Sequence, residues 1–299
     1  MHFGIDLGGT KTEIVVLDRE RREIHRKRVP SALGSYDATL ALLRNLVLDM
    51  EAQCGAAQTL GIGIPGAISP LTGRIKNANS TWLIGHPLKP DLEALLQRPV
   101  VIANDADCFA LSEAKDGAGK GFASVFGVIL GTGVGGGWFI NDRLVSGPNA
   151  ISGEWGHNPL PWPRANEVAQ TCYCGKSGCI ETWLSGPALL QRYNQDASKP
   201  ASSVHAIVEA SQQGEPLAQQ HMQQYFDLLA RALAGVINVL DPEVIVLGGG
   251  LSNIDAIYPE LTKRLPEYVF GGECVTPVCQ AQHGDSSGVL GAAWLGING

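Results

Sequence analysis

Phe3-Gly-Ile-Asp-Leu-Gly-Gly-Thr-Lys11 opens the chain, and after Thr12 comes the apolar run Glu13-Ile-Val-Val-Leu-Asp18. Two such runs around a glycine turn read as paired strands, Phe3–Asp6 and Glu13–Asp18. Glycine lets the backbone turn sharply and bring its N–H groups toward an anion. Within that turn Gly8 and Gly9 supply the backbone, Thr10 a hydroxyl donor and Lys11 a cation. Asp6 ends the first strand, where a carboxylate can hold Mg²⁺ through a water. No helix follows the glycines, so the motif is neither a Walker loop nor a dinucleotide fingerprint.

Working outward, the same form returns about 120 residues later as Phe126-Gly-Val-Ile-Leu-Gly131-Thr132-Gly133, again followed by an apolar run. Gly248-Gly249-Gly250 makes a third glycine turn, after the strand pattern Glu243–Leu247. A plain hairpin or strand–helix turn explains any one of them. Three at strand ends point to a nucleotide triphosphate. Helical spacing marks Asp37–Gln53, Ala106–Ala114, Glu215–Leu240 and Gly288–Ile297, with Asp285 or Ser286 as a cap for the last. Strand patterns cover Leu60–Ile64 and Val100–Ala103. The alternation predicts an α/β protein of two related domains, with a boundary near Gly117–Gly121.

Composition removes several functions. Charge is -7, from 22 basic and 29 acidic residues among 299, which favours neither nucleic acid nor an anionic membrane as partner. The basic run Arg19–Arg28 is broken by acids and reads as a solvated hairpin. Val125–Ile140 is apolar but carries six glycines, so it is no membrane span. The apolar pattern starts at Phe3 without a basic leader, and a cytoplasmic location is expected. Seven cysteines, three of them crowded together, fit a metal site in a reducing compartment better than a disulfide framework.

That crowd is Cys172-Tyr-Cys174-Gly-Lys-Ser-Gly-Cys179, with His157 fifteen positions before it. Three thiolates and an imidazole form a closed tetrahedral set, the signature of structural Zn²⁺. Gly175 and Gly178 let the chain fold back on itself. Four protein ligands leave no open position for catalytic water. The zinc would fix the loop bearing Glu154 and Glu181.

Val100-Val-Ile-Ala103 runs into Asn104-Asp105 and then a helix pattern. A carboxylate at a strand's C-terminal end lies where α/β folds place active sites. It could act as a base for phosphoryl transfer. A helix N-cap explains Asn104-Asp105 equally well.

Asp6-Leu-Gly-Gly-Thr-Lys11 resembles the first phosphate loop of the ROK family (repressors, open reading frames and sugar kinases). Gly153-Glu-Trp-Gly-His157, the cysteine run and Ile180-Glu181 resemble that family's signature. The resemblance spans the chain and implies an actin-like (RNase H-like) ATPase fold with the active site in a cleft between its two domains. The expected domains are 1–119 and 120–285, with a last helix, 286–299, returning to the first. Catalytic base Asp105 is implied, with Asn104, Asp105, Glu154, His157 and Glu181 on a hexose. Phosphate loops Asp6–Lys11 and Gly131–Gly133 would hold ATP with Mg²⁺, and Gly248–Gly250 would border adenosine. His157, Cys172, Cys174 and Cys179 would bind zinc, in a homodimer.

Within the family, Asn77–Trp82, Gly156–Trp162 and His283–Gly288 look most like bacterial fructokinases of the mannokinase type. That implies conversion of D-fructose to fructose 6-phosphate, with weaker action on mannose or glucose. Asn79 and Trp82 are pocket candidates. A glucokinase or N-acetylhexosamine kinase is the alternative. A sugar-responsive repressor is disfavoured, because the first strand begins within three residues and no basic recognition helix precedes it.

Overall fold

The structure, a computed structural model, describes residues 1–298, apart from the side chains of Asp285 and Asn298. The chain begins with β1 (His2–Leu7), β2 (Lys11–Leu17), β3 (Glu23–Pro30), α1 (Tyr36–Cys54) and β4 (Thr59–Ile64). A short ribbon, β5 (Ala67–Ile68) and β6 (Ile75–Lys76), precedes α2 (Leu88–Leu96), β7 (Val101–Asn104) and α3 (Asp105–Asp116). Then come β8 (Ser124–Leu130), β9 (Val134–Ile140), β10 (Arg143–Leu144), α4 (Glu181–Leu184), α5 (Gly186–Asp196) and α6 (Val204–Gln212). The chain closes with α7 (Pro216–Leu240), β11 (Val244–Gly248), α8 (Ile257–Tyr268), β12 (Val278–Gln280) and α9 (Ser287–Asn298).

Packing divides it into two compact units. One holds residues 1–121, 137–153 and the chain from Gln282 onward; the other holds 122–136 and 154–281. Residues 137–153 therefore belong with the first unit, although the sequence reading grouped them with the second half. Close packing explains this: a side chain at Gly137 would reach within 2.5 Å of the Ala106 carbonyl on α3.

In the first unit the sheet order is β3-β2-β1-β4-β7. β1 is antiparallel to β2 and parallel to β4, which is parallel to β7. The period of two decides what each face meets. Phe3, Ile5, Ile14, Val16, Leu60 and Ile62 are buried in one core with Leu43, Val47 and Met50 of α1. Gly4, Gly61 and Gly63 alternate with them and lie toward the opposite face, where α9 and α3 pack. There a Cβ at Gly61 would stand 1.8 Å from the Ala292 carbonyl, and one at Gly4 2.3 Å from the Ala293 nitrogen. Val15 and Leu17 complete that face against Val289 and Ala293.

Glu113 fixes where α9 begins. Its side chain is fully buried, and both carboxylate oxygens are satisfied. Oε1 accepts from the His283 N–H at 3.0 Å and the Ser287 hydroxyl at 2.8 Å. Oε2 accepts from the N–H groups of Ala118 at 3.0 Å and Gln282 at 2.9 Å. α9 starts at Ser287 after a 3₁₀ turn, and the Ser286 hydroxyl, one of the two expected caps, accepts from Arg26 at 2.8 Å. The Asp285 side chain lies outside the described residues.

A second sheet has the order β10-β9-β8-β11-β12, in which β11 runs parallel to both β8 and β12. The strand order repeats that of the first sheet, so the glycine-turn repeat in the sequence marks a repeat of architecture. This doubled α/β arrangement is the actin-like ATPase fold. Helix α7 is amphipathic and buries Tyr225, Phe226, Leu229 and Leu233. Arg231 on α7 is buried with Glu167 and Asp227, and donates to the Trp162 carbonyl at 2.8 Å. It ties the long 158–171 loop to the helix. Among the described residues no helix is long and apolar enough to cross a membrane.

Replacing Glu113 with Gln would turn an amide N–H₂ toward groups that are themselves donors. Urea unfolding of Glu113→Gln should show a loss on the order of 1–3 kcal/mol. A midpoint equal to that of the parent would contradict the clamp.

Candidate active site and metal centre

In the first unit three parallel strands deliver the polar groups at their C-terminal ends. Asp6 lies opposite Glu13 on β2 and Gly63 on β4, while Asn104 is in register with Ile64. Asp6 is packed closely on several sides. A Cβ at Gly288 would come 3.2 Å from its Oδ2, and one at Gly63 3.8 Å from its Oδ1 and 3.0 Å from Cys108 Sγ. Burial, reinforced by the charges of Asp105 and Glu13, pushes the Asp6 carboxyl up to about 7. Burial, with the charges of Asp6, Asp107 and Asp105, drives the Cys108 thiol upward too. Such a carboxylate is stabilised by a cation.

Asn104 is the N-cap of α3, its Oδ1 accepting from Ala106 N–H at 2.8 Å. Its amide donates to the Gly66 carbonyl at 3.1 Å. Asp105 Oδ1 also accepts from Ala106 N–H, at 2.9 Å. Asn104 thus caps α3 at the C-terminal end of β7. The Gly8–Lys11 loop is braced by Ser31, whose hydroxyl donates to the Gly8 carbonyl at 2.7 Å and whose N–H donates to Thr10 O at 3.0 Å. Thr10 and Lys11 stay exposed. Trp82 packs against the first core and donates to Thr39 Oγ1 at 3.2 Å. It is thus tied to α1 rather than standing free.

In the second unit the four metal candidates converge: their ligand atoms all lie within 4.8 Å of one another. Cys172 Sγ is 3.5 Å from His157 Nδ1, and Cys174 Sγ is 3.6 Å from Cys179 Sγ. Tetrahedral zinc with bonds of about 2.3 Å to sulfur and 2.0–2.1 Å to nitrogen requires edges of about 3.5 Å and 3.7 Å. The set fits zinc. The chain reverses through Gly175 at φ 87° and Gly178 at φ 76°, a conformation costly to other residues.

With Nδ1 toward the sulfurs, His157 Nε2 faces the Tyr173 hydroxyl at 3.0 Å and Glu154 Oε2 at 4.0 Å. Burial and the charges of Glu181 and Glu154 push the Tyr173 phenol up to about 12. Glu181 begins α4, and its Oε2 accepts from the Val134 N–H at 2.9 Å. The Gly131–Gly133 turn links β8 to β9, with Thr132 exposed. Gly249, at φ 80°, turns β11 into a 3₁₀ segment, Gly250–Asn253; a side chain there would meet the Leu130 carbonyl at 2.4 Å. Glu154, His157, Glu181 and the zinc cage are thus gathered in one unit, and Asp6, Asn104 and Asp105 in the other.

Sequence reading missed Ser31, whose role depends on where β3 returns, and Tyr173. The latter was findable, since it stands between two ligand cysteines.

A doubled actin-like fold with glycine turns at the strand ends and a His/Cys₃ cluster that fits a metal ion defines an ATPase-superfold protein with a candidate metal centre. A model of the ROK family matches residues 2–298, and the chain belongs to that family. It is 42% identical over 302 residues to an N-acetyl-D-glucosamine kinase of Yersinia pseudotuberculosis, covering 99% of this chain and 98% of that one. Among solved structures it resembles the ROK hexokinase of Thermus thermophilus, with a TM-score of 0.87, 29% identity, and 99% and 97% of the two chains covered. It also resembles a ROK glucokinase of Streptomyces griseus in complex with glucose and AMPPNP, with a TM-score of 0.80, 27% identity, and 100% and 99% covered.

Two measurements test the geometry. Metal analysis should find about one zinc per chain, and Cys174→Ser should lower both zinc content and melting temperature; a fully stable, zinc-free parent would refute the assignment. For Asp6 the folded carboxyl titrates at about 7 against 3.8 as reference. The folded state holds the proton more tightly, so this group's stability contribution is present below about 4 and lost as pH rises through about 7. Without divalent ions, Asp6→Asn should therefore be more stable than the parent at pH 8, on the order of a few kcal/mol. The two should converge near pH 4.

Proposed function

We propose that the chain transfers the γ-phosphoryl group of ATP to an N-acetylhexosamine, N-acetyl-D-glucosamine foremost. The observation that carries the substrate is the 42% identity, over nearly the whole of both chains, to the Yersinia N-acetyl-D-glucosamine kinase. The sequence reading put D-fructose first. The fructokinase-like segments around Asn77–Trp82 and His283–Gly288 do not outweigh that full-length similarity, and Trp82 is engaged by its own core. Fructose, mannose and glucose become secondary candidates.

The proposed roles follow from placement. Asp105, held at the start of α3 by a backbone N–H, takes the proton of the acceptor hydroxyl as phosphoryl transfer proceeds. Asn104, Glu154, His157 and Glu181 bind the other sugar hydroxyls. His157 offers Nε2 for this, because Nδ1 is directed to the zinc cage. The Gly8–Lys11 and Gly131–Gly133 turns cradle the phosphates through backbone N–H groups, and Gly248–Gly250 borders the adenosine. Asp6 is the residue that would hold Mg²⁺, whose charge would offset that of the phosphates.

A coupled assay with ATP and a panel of hexoses should rank N-acetyl-D-glucosamine highest in kcat/KM. A higher value for fructose would reverse the order. In the same assay Asp105→Asn should lower kcat by at least about 100-fold while sugar binding by calorimetry persists. Unchanged turnover would remove Asp105 as the base.

A further inference from the structure

Resting on the kinase reading above, we infer that Glu181 is also a positioning residue for the nucleotide. Its carboxylate would hold the phosphate turn Gly131–Gly133 in place, so that one side chain serves both substrates. One oxygen of Glu181 is engaged by the turn. Oε2 accepts from the N–H of Val134, the first residue after the turn, at 2.9 Å. That is a charge-assisted bond to backbone.

The fit is close on the turn itself. A Cβ at Gly133 would stand 2.7 Å from Glu181 Oε2 and 3.6 Å from its Cδ, with no other contact within 4 Å. Gly133 is also free of positive φ, so this carboxylate is the group that an added side chain there would have to displace. A second tie lies a few residues on, where Gly186 N–H donates to the Gly131 carbonyl at 2.8 Å. The segment from Glu181 to Gly186 therefore grips both ends of the turn, at Gly131 and at Val134. Cys179, two residues before Glu181, anchors the other end of this segment in the metal cage.

A residue that only contacts sugar leaves nucleotide affinity in sugar-free protein untouched, and Glu181 does not fit that description. The experiment is calorimetric titration of the full chain with a non-hydrolysable ATP analogue and Mg²⁺, without sugar. Glu181→Ala should weaken analogue binding about tenfold. Glu181→Gln keeps an oxygen able to accept from Val134 N–H, and should stay within about threefold of the parent while its sugar affinity falls.

Gly133→Ala should weaken the analogue by displacing the carboxylate. In the Glu181→Ala background the same substitution should add almost nothing, because its steric partner is gone. Coupling of this kind is what a double-mutant cycle reads. If Glu181→Ala does not fold, Glu181→Gln and Gly133→Ala still carry the test. Parent-like nucleotide affinity in Glu181→Ala, parent-like affinity in Gly133→Ala, an additive cycle, or a tenfold loss in Glu181→Gln would each overturn the inference. Those outcomes leave the kinase reading standing if the parent phosphorylates a hexose. A parent that binds no analogue overturns both.

Discussion

Helix α9 lies on bare backbone. At Gly4 and Gly61 the first sheet has no side chains between β1, β4 and the helix, and added ones would fall 2.3 Å and 1.8 Å from helix backbone atoms. The same holds within the helical layer, where a Cβ at Gly291 would meet the Cys108 carbonyl at 1.8 Å. Such close packing fixes the helix in one register, since sliding by one residue would bring side chains where only hydrogen fits. It also sets Gly288 against Asp6, which is why that carboxylate is enclosed. The first unit's acidic centre is thus a by-product of how a helix is seated.

In the second unit the organising element is a loop. Residues 154–181 have little regular structure, and three devices give the segment a shape: the His/Cys₃ cage, the salt bridge from Arg231 to Glu167, and the link from Glu181 to Val134. Arg231 and Glu167 are both nearly inaccessible. Removing one alone would strand a buried charge. A loop held at several points can present Glu154 and His157 without the fraying expected of a free segment of this length.

Much of this was legible in the chain, for physical reasons. The strand pairs around glycine turns, the long α7 and the cysteine cage follow from local rules: period, turn chemistry and ligand spacing. The doubled sheet was visible because Phe3–Thr10 and Phe126–Gly133 repeat in form. What escaped depended on distant partners. Nothing near Glu113 announces that its oxygens meet Gln282, His283 and Ser287 across some 170 residues, and Ser31 is an ordinary serine until β3 brings it to Gly8. Residues 137–153 follow the second glycine turn in chain order, yet they pack with the first unit, and nothing local in the sequence announces it. The sugar was hardest to read, since few loop side chains distinguish one hexose from another.

The seating of α9 also orders events during synthesis. β1, β2 and β4 leave the ribosome early, but the face they offer to α9 stays uncovered until residues 287–298 follow. Val15 and Leu17, both buried in the finished protein, would spend most of translation exposed. The anchor on Glu113 spans 174 positions, and contacts of such separation form late because the intervening loop must first close. A truncation that spares every proposed catalytic residue but removes α9 would therefore leave the amino-terminal half without its second face, with apolar surface exposed.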